Sequence, residues 1–347
     1  MTIPSIKKVE IQITTACNMK CGFCFADAGR NLSLPVALAN KVASQLAEKQ
    51  NGNSDEKSLW LTGGEALLTD ACQTLVETAR GLGIKTGVAT NGLLLARKAA
   101  LLRAAGLQEV RVSLDSVRPN IFDQMRGTHK ALPRVLQGIE TAASNGLKTG
   151  IRFTAMRNNS EDIRPVIQRA QNLGASYVEV KAVLPIGRGS SSLMLPPDLL
   201  NGLMNEAVAL STPGMSVYVL CSYLSPCKGY DLGPSHIPCI CATDAMYVAV
   251  NGDLMPCSYF PQTSPFNISQ HSLREAWRSN DFAQVRNNRP DECQPCETWE
   301  PCRNGCPALT AHHDTGFART NFILAEQLRL KGRKLNECAR ANECSCS

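Results

Sequence analysis

The stretch Ile13-Thr14-Thr15-Ala16-Cys17-Asn18-Met19-Lys20-Cys21-Gly22-Phe23-Cys24 sets three cysteines at C-x3-C-x2-C spacing, directly after the alternating run Val9-Glu10-Ile11-Gln12-Ile13. Such alternation predicts a first β-strand, so the three thiols sit on the loop that leaves its C-terminal end. Three thiolates, with no histidine before His129, do not close a tetrahedral zinc site locally. They suit a cubane iron–sulfur cluster, which is held by cysteine thiolates and normally takes four. One iron is then left without a local protein ligand and can take a substrate or cofactor. The plainer alternative is three buried loop cysteines.

Working outward, strand and helix patterns alternate. Leu34-Pro35-Val36 opens a helix, and Ser58-Leu59-Trp60-Leu61 is a short strand ended by Thr62-Gly63-Gly64-Glu65. A helix near 70–81, a strand over 84–89, a helix over 93–105 and a strand over 109–115 follow. After a loop through Arg126-Gly127 come a helix over 132–145, a strand over 148–155, a helix over 163–173 and a strand over 177–183. Six such units imply a parallel sheet with right-handed crossovers. A complete eight-fold barrel takes about 250 residues and only about 185 are used here, which predicts a partial barrel open on one side. An open doubly wound sheet is the competing topology. In both, the chemistry belongs on loops at the C-terminal strand ends. Residues 184–192 read as a loop or linker, a helix follows Pro196-Pro197-Asp198, and Val217 to Leu220 is a strand.

At 347 residues, one large domain and one small one are expected, with the division at 1–215 and 216–347. A net charge of +6 permits an anionic partner without pointing to nucleic acid. Neither a signal peptide nor a membrane-length apolar run is present, so a cytoplasmic protein is expected. Sixteen cysteines in such a chain suggest metal rather than disulfides, and ten of them fall between Cys239 and Cys346.

The Cys17–Cys24 stretch, including the aromatic Phe23 before the last cysteine, resembles the signature of the radical S-adenosylmethionine (radical SAM) superfamily. The resemblance implies a partial (β/α)6 barrel and a [4Fe-4S] cluster on Cys17, Cys21 and Cys24. The open iron would be chelated by S-adenosylmethionine, whose reductive cleavage yields a 5′-deoxyadenosyl radical that abstracts hydrogen. Gly63-Gly64-Glu65 resembles the family's GGE motif, which contacts the amino group of the methionine moiety; two glycines let backbone approach a ligand. The plainer reading is a Gly-Gly turn with an acidic residue at a helix start. Ser113 and Asp115 look like the family's polar contacts to the ribose and the methionyl carboxylate, although Asp115 also suits a turn or N-cap. Arg126 and Arg134 follow, and by the resemblance an arginine near Arg134 reaches that carboxylate. Asn91 reads as a turn residue before Gly92.

Cys241 is followed by ten residues, Gly252, four residues and Cys257; then come Cys293-x2-Cys296-x5-Cys302-x3-Cys306 and a terminal group of Cys338, Cys344 and Cys346. Asn251-Gly252 between apolar runs predicts a hairpin that returns Cys257 to the side of Cys241. The pattern resembles the SPASM domain, which holds two auxiliary [4Fe-4S] clusters. The resemblance implies one cluster on Cys241, Cys257 and Cys306 with Cys239 or Cys227. It implies a second on Cys293, Cys296 and Cys302 with a late cysteine, Cys338 being favoured. Structural zinc on the cysteines from 293 to 306 is the plainer alternative. Cys72 reads as a small core residue, and the basic run 329–334 as a solvated helix end.

Enzymes of the SPASM type mostly modify ribosomally made peptides or protein side chains, and others act on tetrapyrroles or aminoglycosides. The resemblance therefore implies a radical oxidoreductase acting on a peptide, with no catalytic base identified in the sequence. A flavodoxin- or ferredoxin-type electron donor is implied as well. Sulfatase maturases place an aspartate after the hairpin cysteine, where this chain has Ser258. Few residues precede the first strand, so a peptide substrate is expected to need a separate recognition protein or a different contact. A small-molecule dehydrogenase or epimerase acting on a sugar is the second reading, and a non-catalytic iron–sulfur or zinc scaffold the third.

Overall fold

The computed structural model describes residues 3–26, 28–48, 56–220, 234–261, 264–287 and 306–308. The alternating run forms β1 (Lys8–Thr14) and buries Val9, Ile11 and Ile13 against the helices. Lys8 and Glu10 fall on the opposite face, as a period of two requires. The units then follow in order: α1 (Val36–Ala47), β2 (Ser58–Gly63), α2 (Ala71–Gly81), β3 (Lys85–Thr90), α3 (Leu95–Ala105) and β4 (Glu109–Ser113). After α4 (Pro119–Arg126) come α5 (Leu132–Ser144), β5 (Lys148–Ala155), α6 (Ile163–Asn172), β6 (Tyr177–Ala182), α7 (Pro197–Ala209) and β7 (Ser216–Leu220).

These strands lie side by side in chain order, β7-β6-β5-β4-β3-β2-β1, every neighbouring pair parallel. A doubly wound sheet reverses its order at a switch point, and this one does not. The six expected units are present and β7 extends them. The sheet does not close on itself among the described residues, which matches a partial barrel.

The C-terminal part joins the same sheet. The hairpin at Asn251-Gly252 links β8 (Ala245–Val248) to β9 (Leu254–Met255), with Gly252 left-handed at φ 91°. β8 pairs in parallel with β1, from Lys8 opposite Ala245 to Ile11 opposite Val248. Strands beyond residue 215 thus share hydrogen bonds with those before it. Two short helices, α8 (Leu273–Arg278) and α9 (Asn280–Asn287), cover the N-terminal side. There Trp277 Nε1 donates to the Pro4 carbonyl at 2.7 Å, and Lys41 Nζ donates to the Ile268 carbonyl at 2.7 Å.

Residues expected to be loop before Arg126-Gly127 form α4 instead. Pro119 occupies its first turn, where a missing N–H costs nothing, and Gly127 ends it in the left-handed conformation at φ 57°. With Phe122, Met125 and Arg126 buried and polar residues between them, the segment is amphipathic at helical period.

Candidate active site

The cysteine loop leaves β1 and is fastened from three sides, each time by a segment containing glycine. After β2, Gly64 N–H donates to the Thr14 carbonyl at 2.9 Å and Glu65 N–H to the Ala16 carbonyl at 2.8 Å. A Cβ on Gly64 would stand 2.3 Å from the Ala16 oxygen and 2.6 Å from that of Thr15, so no side chain fits. After α4, Lys20 N–H and Gly22 N–H donate to the carbonyls of Arg126 and Met125, both at 3.1 Å. A Cβ on Gly127 would lie 2.4 Å from the Lys20 oxygen. After β6, Arg188 binds the Cys24 carbonyl through its N–H and the Cys21 carbonyl through Nε, each at 2.9 Å. The loop's shape is therefore set by backbone contacts and not by its cysteines.

Cys17, Cys21 and Cys24 face a cavity of about 380 Å³ together with Phe23, Thr62, Gly63, Gly64 and Ser113. Burial pushes the Cys17 and Cys21 thiols above their ordinary pKa, and the neighbouring cysteines push the same way. Left alone, these thiols stay protonated; iron, which takes cysteine as thiolate, is the partner that suits three of them together. Arg126 Nη1 lies 3.8 Å from Cys21 Sγ and opposes that rise. Its guanidinium stands 5.2 Å from the Phe23 ring, and its Nε is buried with no hydrogen-bond partner in the protein. An orphaned buried donor beside the thiols is what an anionic ligand group would satisfy. The residues present thus fit an iron–sulfur cluster with a polar cofactor beside it.

The other expected contacts are placed differently. Glu65 is fully buried and does not line the cavity. Its carboxylate accepts from Leu67 N–H at 3.0 Å, the Thr90 hydroxyl at 2.7 Å and Asn91 N–H at 2.6 Å, tying the loops after β2 and β3 together. Burial still pushes its carboxyl above the ordinary range. Asp115 is 1% exposed, forms a salt bridge with Arg126 and accepts from Thr154 N–H at 2.8 Å, so it too lies behind the cavity wall. Arg134 is exposed on α5, 3.5 Å from the Leu93 carbonyl, and away from the cavity lining. Asn91, read as a turn residue, does line the cavity; its amide donates to Asn18 Oδ1 at 2.7 Å, and its Oδ1 accepts from Leu93 N–H, as a turn asparagine does.

The same cavity is lined by a second set of thiols, Cys239, Cys241, Cys257 and Cys306. Cys241 is hydrogen-bonded to both Cys239 and Cys257; burial, then those contacts, push its pKa well up. The hairpin thus brings Cys257 beside Cys241, as the sequence predicts. Cys227, Cys293, Cys296, Cys302, Cys338, Cys344 and Cys346 lie outside the described residues. Among the described residues, no group of three or more His, Cys, Asp or Glu is arranged to hold a single metal ion. Nor is any helix among them long and apolar enough to cross a membrane.

Several charged side chains that line the cavity were not singled out in the sequence: Lys8, Glu10, Arg111, Arg152 and Lys181. Charged residues alternating with apolar ones in a strand ordinarily read as a solvent face; in a curled sheet that face turns inward.

Gly64→Ala offers a direct check on the backbone contact. Its Cβ would force the loop after β2 off the cysteine loop, and S-adenosylmethionine affinity measured by calorimetry is expected to fall roughly ten-fold or more. Unchanged affinity would remove this contact from the binding site.

Residues 11–170 match the model of the Radical SAM superfamily, and residues 239–303 match that of an iron–sulfur cluster-binding domain, SPASM. An AdoMet-dependent heme synthase of Oleidesulfovibrio alaskensis is 23% identical, over 93% of this chain and 87% of its own length. A probable GTP 3′,8-cyclase of Saccharolobus islandicus is 33% identical, over 56% of this chain and 62% of its own. Among solved structures, native anSMEcpe with bound AdoMet and a Cp18Cys peptide superposes with a TM-score of 0.70 at 18% identity, covering 96% of this chain and 98% of that one. The last of these is a likeness of fold.

Proposed function

Because this chain belongs to the radical SAM superfamily and carries an iron–sulfur cluster-binding domain, we propose that it oxidises a C–H-bearing site of a peptide by two electrons, the second of which an iron–sulfur cluster held by the C-terminal cysteines would accept. One observation carries this reading: the thiols of the Cys17–Cys24 loop and those of Cys239, Cys241, Cys257 and Cys306 open onto a single cavity. Cys17, Cys21 and Cys24 would hold a cluster that, with S-adenosylmethionine bound, would supply the one-electron chemistry for hydrogen-atom abstraction.

The chain's own residues prepare the place. Gly63 and Gly64 let the loop after β2 pack directly on the backbone of the cysteine loop, Ser113 offers a hydroxyl, and Arg126 offers a buried donor beside Cys21. Tyr259 and Tyr247 line the cavity near Cys257, and burial raises the pKa of both, keeping them neutral hydrogen-bond donors. A flavodoxin or ferredoxin would provide the electron in the cell. The peptide is supported by the fold shared with anSMEcpe, whose structure holds AdoMet and a peptide. A small-molecule substrate is the second reading, favoured by the heme synthase that matches over nine-tenths of the chain.

The test is anaerobic turnover of the reconstituted protein with dithionite, S-adenosylmethionine and the peptides encoded beside its gene. A product lighter by two hydrogens, with one 5′-deoxyadenosine formed for each, is the expected result. S-adenosylmethionine cleaved while every peptide keeps its mass would move the substrate to the small-molecule class.

A further inference from the structure

The inner wall of the cavity carries more basic side chains than acidic ones. Lys8 and Glu10 from β1, Arg111 from β4, Arg152 from β5 and Lys181 from β6 line it. Behind them Glu179 holds both arginines, with Oε2 2.9 Å from Arg111 Nε and 2.6 Å from Arg152 Nη2. The first is an ionic contact only, since the Arg111 Nε–H is not aimed along a hydrogen-bond line. Burial works against the Glu179 carboxylate, yet Arg152 and Arg111 hold its pKa below the ordinary value, so it stays charged. Four basic side chains therefore face two carboxylates, and Glu179 is already held by the two arginines. Burial answers the surplus by bringing Lys8 down to a pKa of about 8 and Lys181 to about 7, so an arriving anion would favour the charged amine.

Lys181 is the one of these placed beside the C-terminal cysteine group. Its Nζ is hydrogen-bonded to the Tyr259 hydroxyl, a neutral partner, and lies 5.6 Å from the Phe25 ring. The Phe25 and Tyr259 rings pack 4.5 Å apart, closing an aromatic wall around the amine. The charged groups facing it are Arg152, Glu10, Asp115 and Glu179. Asp115 is already bridged by Arg126, and Glu179 by the two arginines. Burial first, and Arg152 second, bring the Lys181 amine down to a pKa of about 7.

We propose that Lys181, with Arg152 beside it, is the subsite for a carboxylate of the substrate. The substrate class is then a carboxylate-bearing one, whether an acidic side chain of a peptide or a free acid. This rests on the cavity being the substrate site, but not on the reaction carried out there. Binding needs no turnover, so its failure and that of the oxidative reading are separable.

The probe is glutarate, titrated by calorimetry into the anaerobically reconstituted protein with S-adenosylmethionine bound, at fixed ionic strength. Glutaramide, the same shape without charge, is the control. Glutarate is expected to bind more tightly than glutaramide by roughly ten-fold to a hundred-fold, the usual value of a charge-assisted contact. Lys181→Met should erase that difference and Lys181→Arg should keep most of it. The wild-type protein gives a reading independent of variants. At pH 8 the amine is mostly neutral, so glutarate binding should take up most of one proton, seen as a dependence of the heat on buffer ionisation. Equal affinity for acid and amide, or binding without proton uptake, would overturn the proposal. So would a Lys181→Met protein that loses S-adenosylmethionine affinity in step with glutarate, or one that changes only the spectrum of the C-terminal iron. Replacing glutarate by a short glutamate-containing peptide separates the two sources of the carboxylate. Tighter binding of the peptide assigns the subsite to peptides, and no gain assigns it to free acids.

Discussion

Changing Cys17, Cys21 and Cys24 together to alanine is expected to remove about four irons per chain and to lower dithionite-driven cleavage of S-adenosylmethionine roughly a thousand-fold or more, since the reaction has no other route to the electron. The protein should still fold. The loop carrying the three thiols is fixed by backbone hydrogen bonds from Gly64, Glu65 and Arg188 and to Met125 and Arg126, none of which uses a cysteine side chain. Burial already disfavours the charged form of the free Cys17 and Cys21 thiols, so their loss leaves no uncompensated charge. Iron and sulfide analysis beside a thermal melt checks both halves. An iron content unchanged by the triple substitution, or zinc in the wild-type protein in place of iron, would end the assignment of this loop to a cluster.

The largest effect on stability is expected at Asp115. Its carboxylate bridges Arg126, accepts the Thr154 N–H at 2.8 Å, and sits below Asn159, whose amide donates to the Asp115 carbonyl at 2.9 Å. Both partners of the ion pair are nearly inaccessible, 1% for Asp115 and 6% for Arg126. Asp115→Ala strands a buried guanidinium and a backbone donor at once, which costs about 3–5 kcal/mol when a buried pair loses one member. The melting temperature should fall by on the order of 10 °C. Asp115→Asn keeps an acceptor and should cost less. The substitution also frees Arg126 from its anchor, and with it the guanidinium 3.8 Å from Cys21 Sγ. A melt within about 1 °C of wild type would show that water reaches the pair and that the burial argument fails.

How much of this could be read beforehand depended on whether the chemistry was local in the chain. The C-x3-C-x2-C loop, the two glycines after β2 and the Asn-Gly hairpin each carry their meaning within a dozen residues, and all three stand where the sequence puts them. The helix Pro119–Arg126 reads as loop in the sequence because eight residues give little periodicity. Its signals were there: proline at the start, Arg126-Gly127 at the end. Glu65 and Asp115 illustrate a different limit. A carboxylate at a strand end suits a ligand or a neighbouring loop equally well, and only the fold shows that Thr90, Asn91 and Arg126 reach them first. The charged wall was the least legible part. Lys8-Val9-Glu10 and Glu179-Val180-Lys181 alternate as a half-exposed strand would, and nothing in the alternation says that the polar side curls inward.

The parallel pairing of β1 with β8 has a consequence for the order of events on the ribosome. Residues 8–14 are synthesised among the first, while their partner on that side, residues 245–248, emerges after more than two-thirds of the chain. Throughout that interval the nascent sheet presents a bare strand edge with its amides and carbonyls unpaired, the kind of template on which chains stick to one another. The strand that covers this edge arrives late, so slow synthesis of the middle of the chain prolongs the vulnerable state.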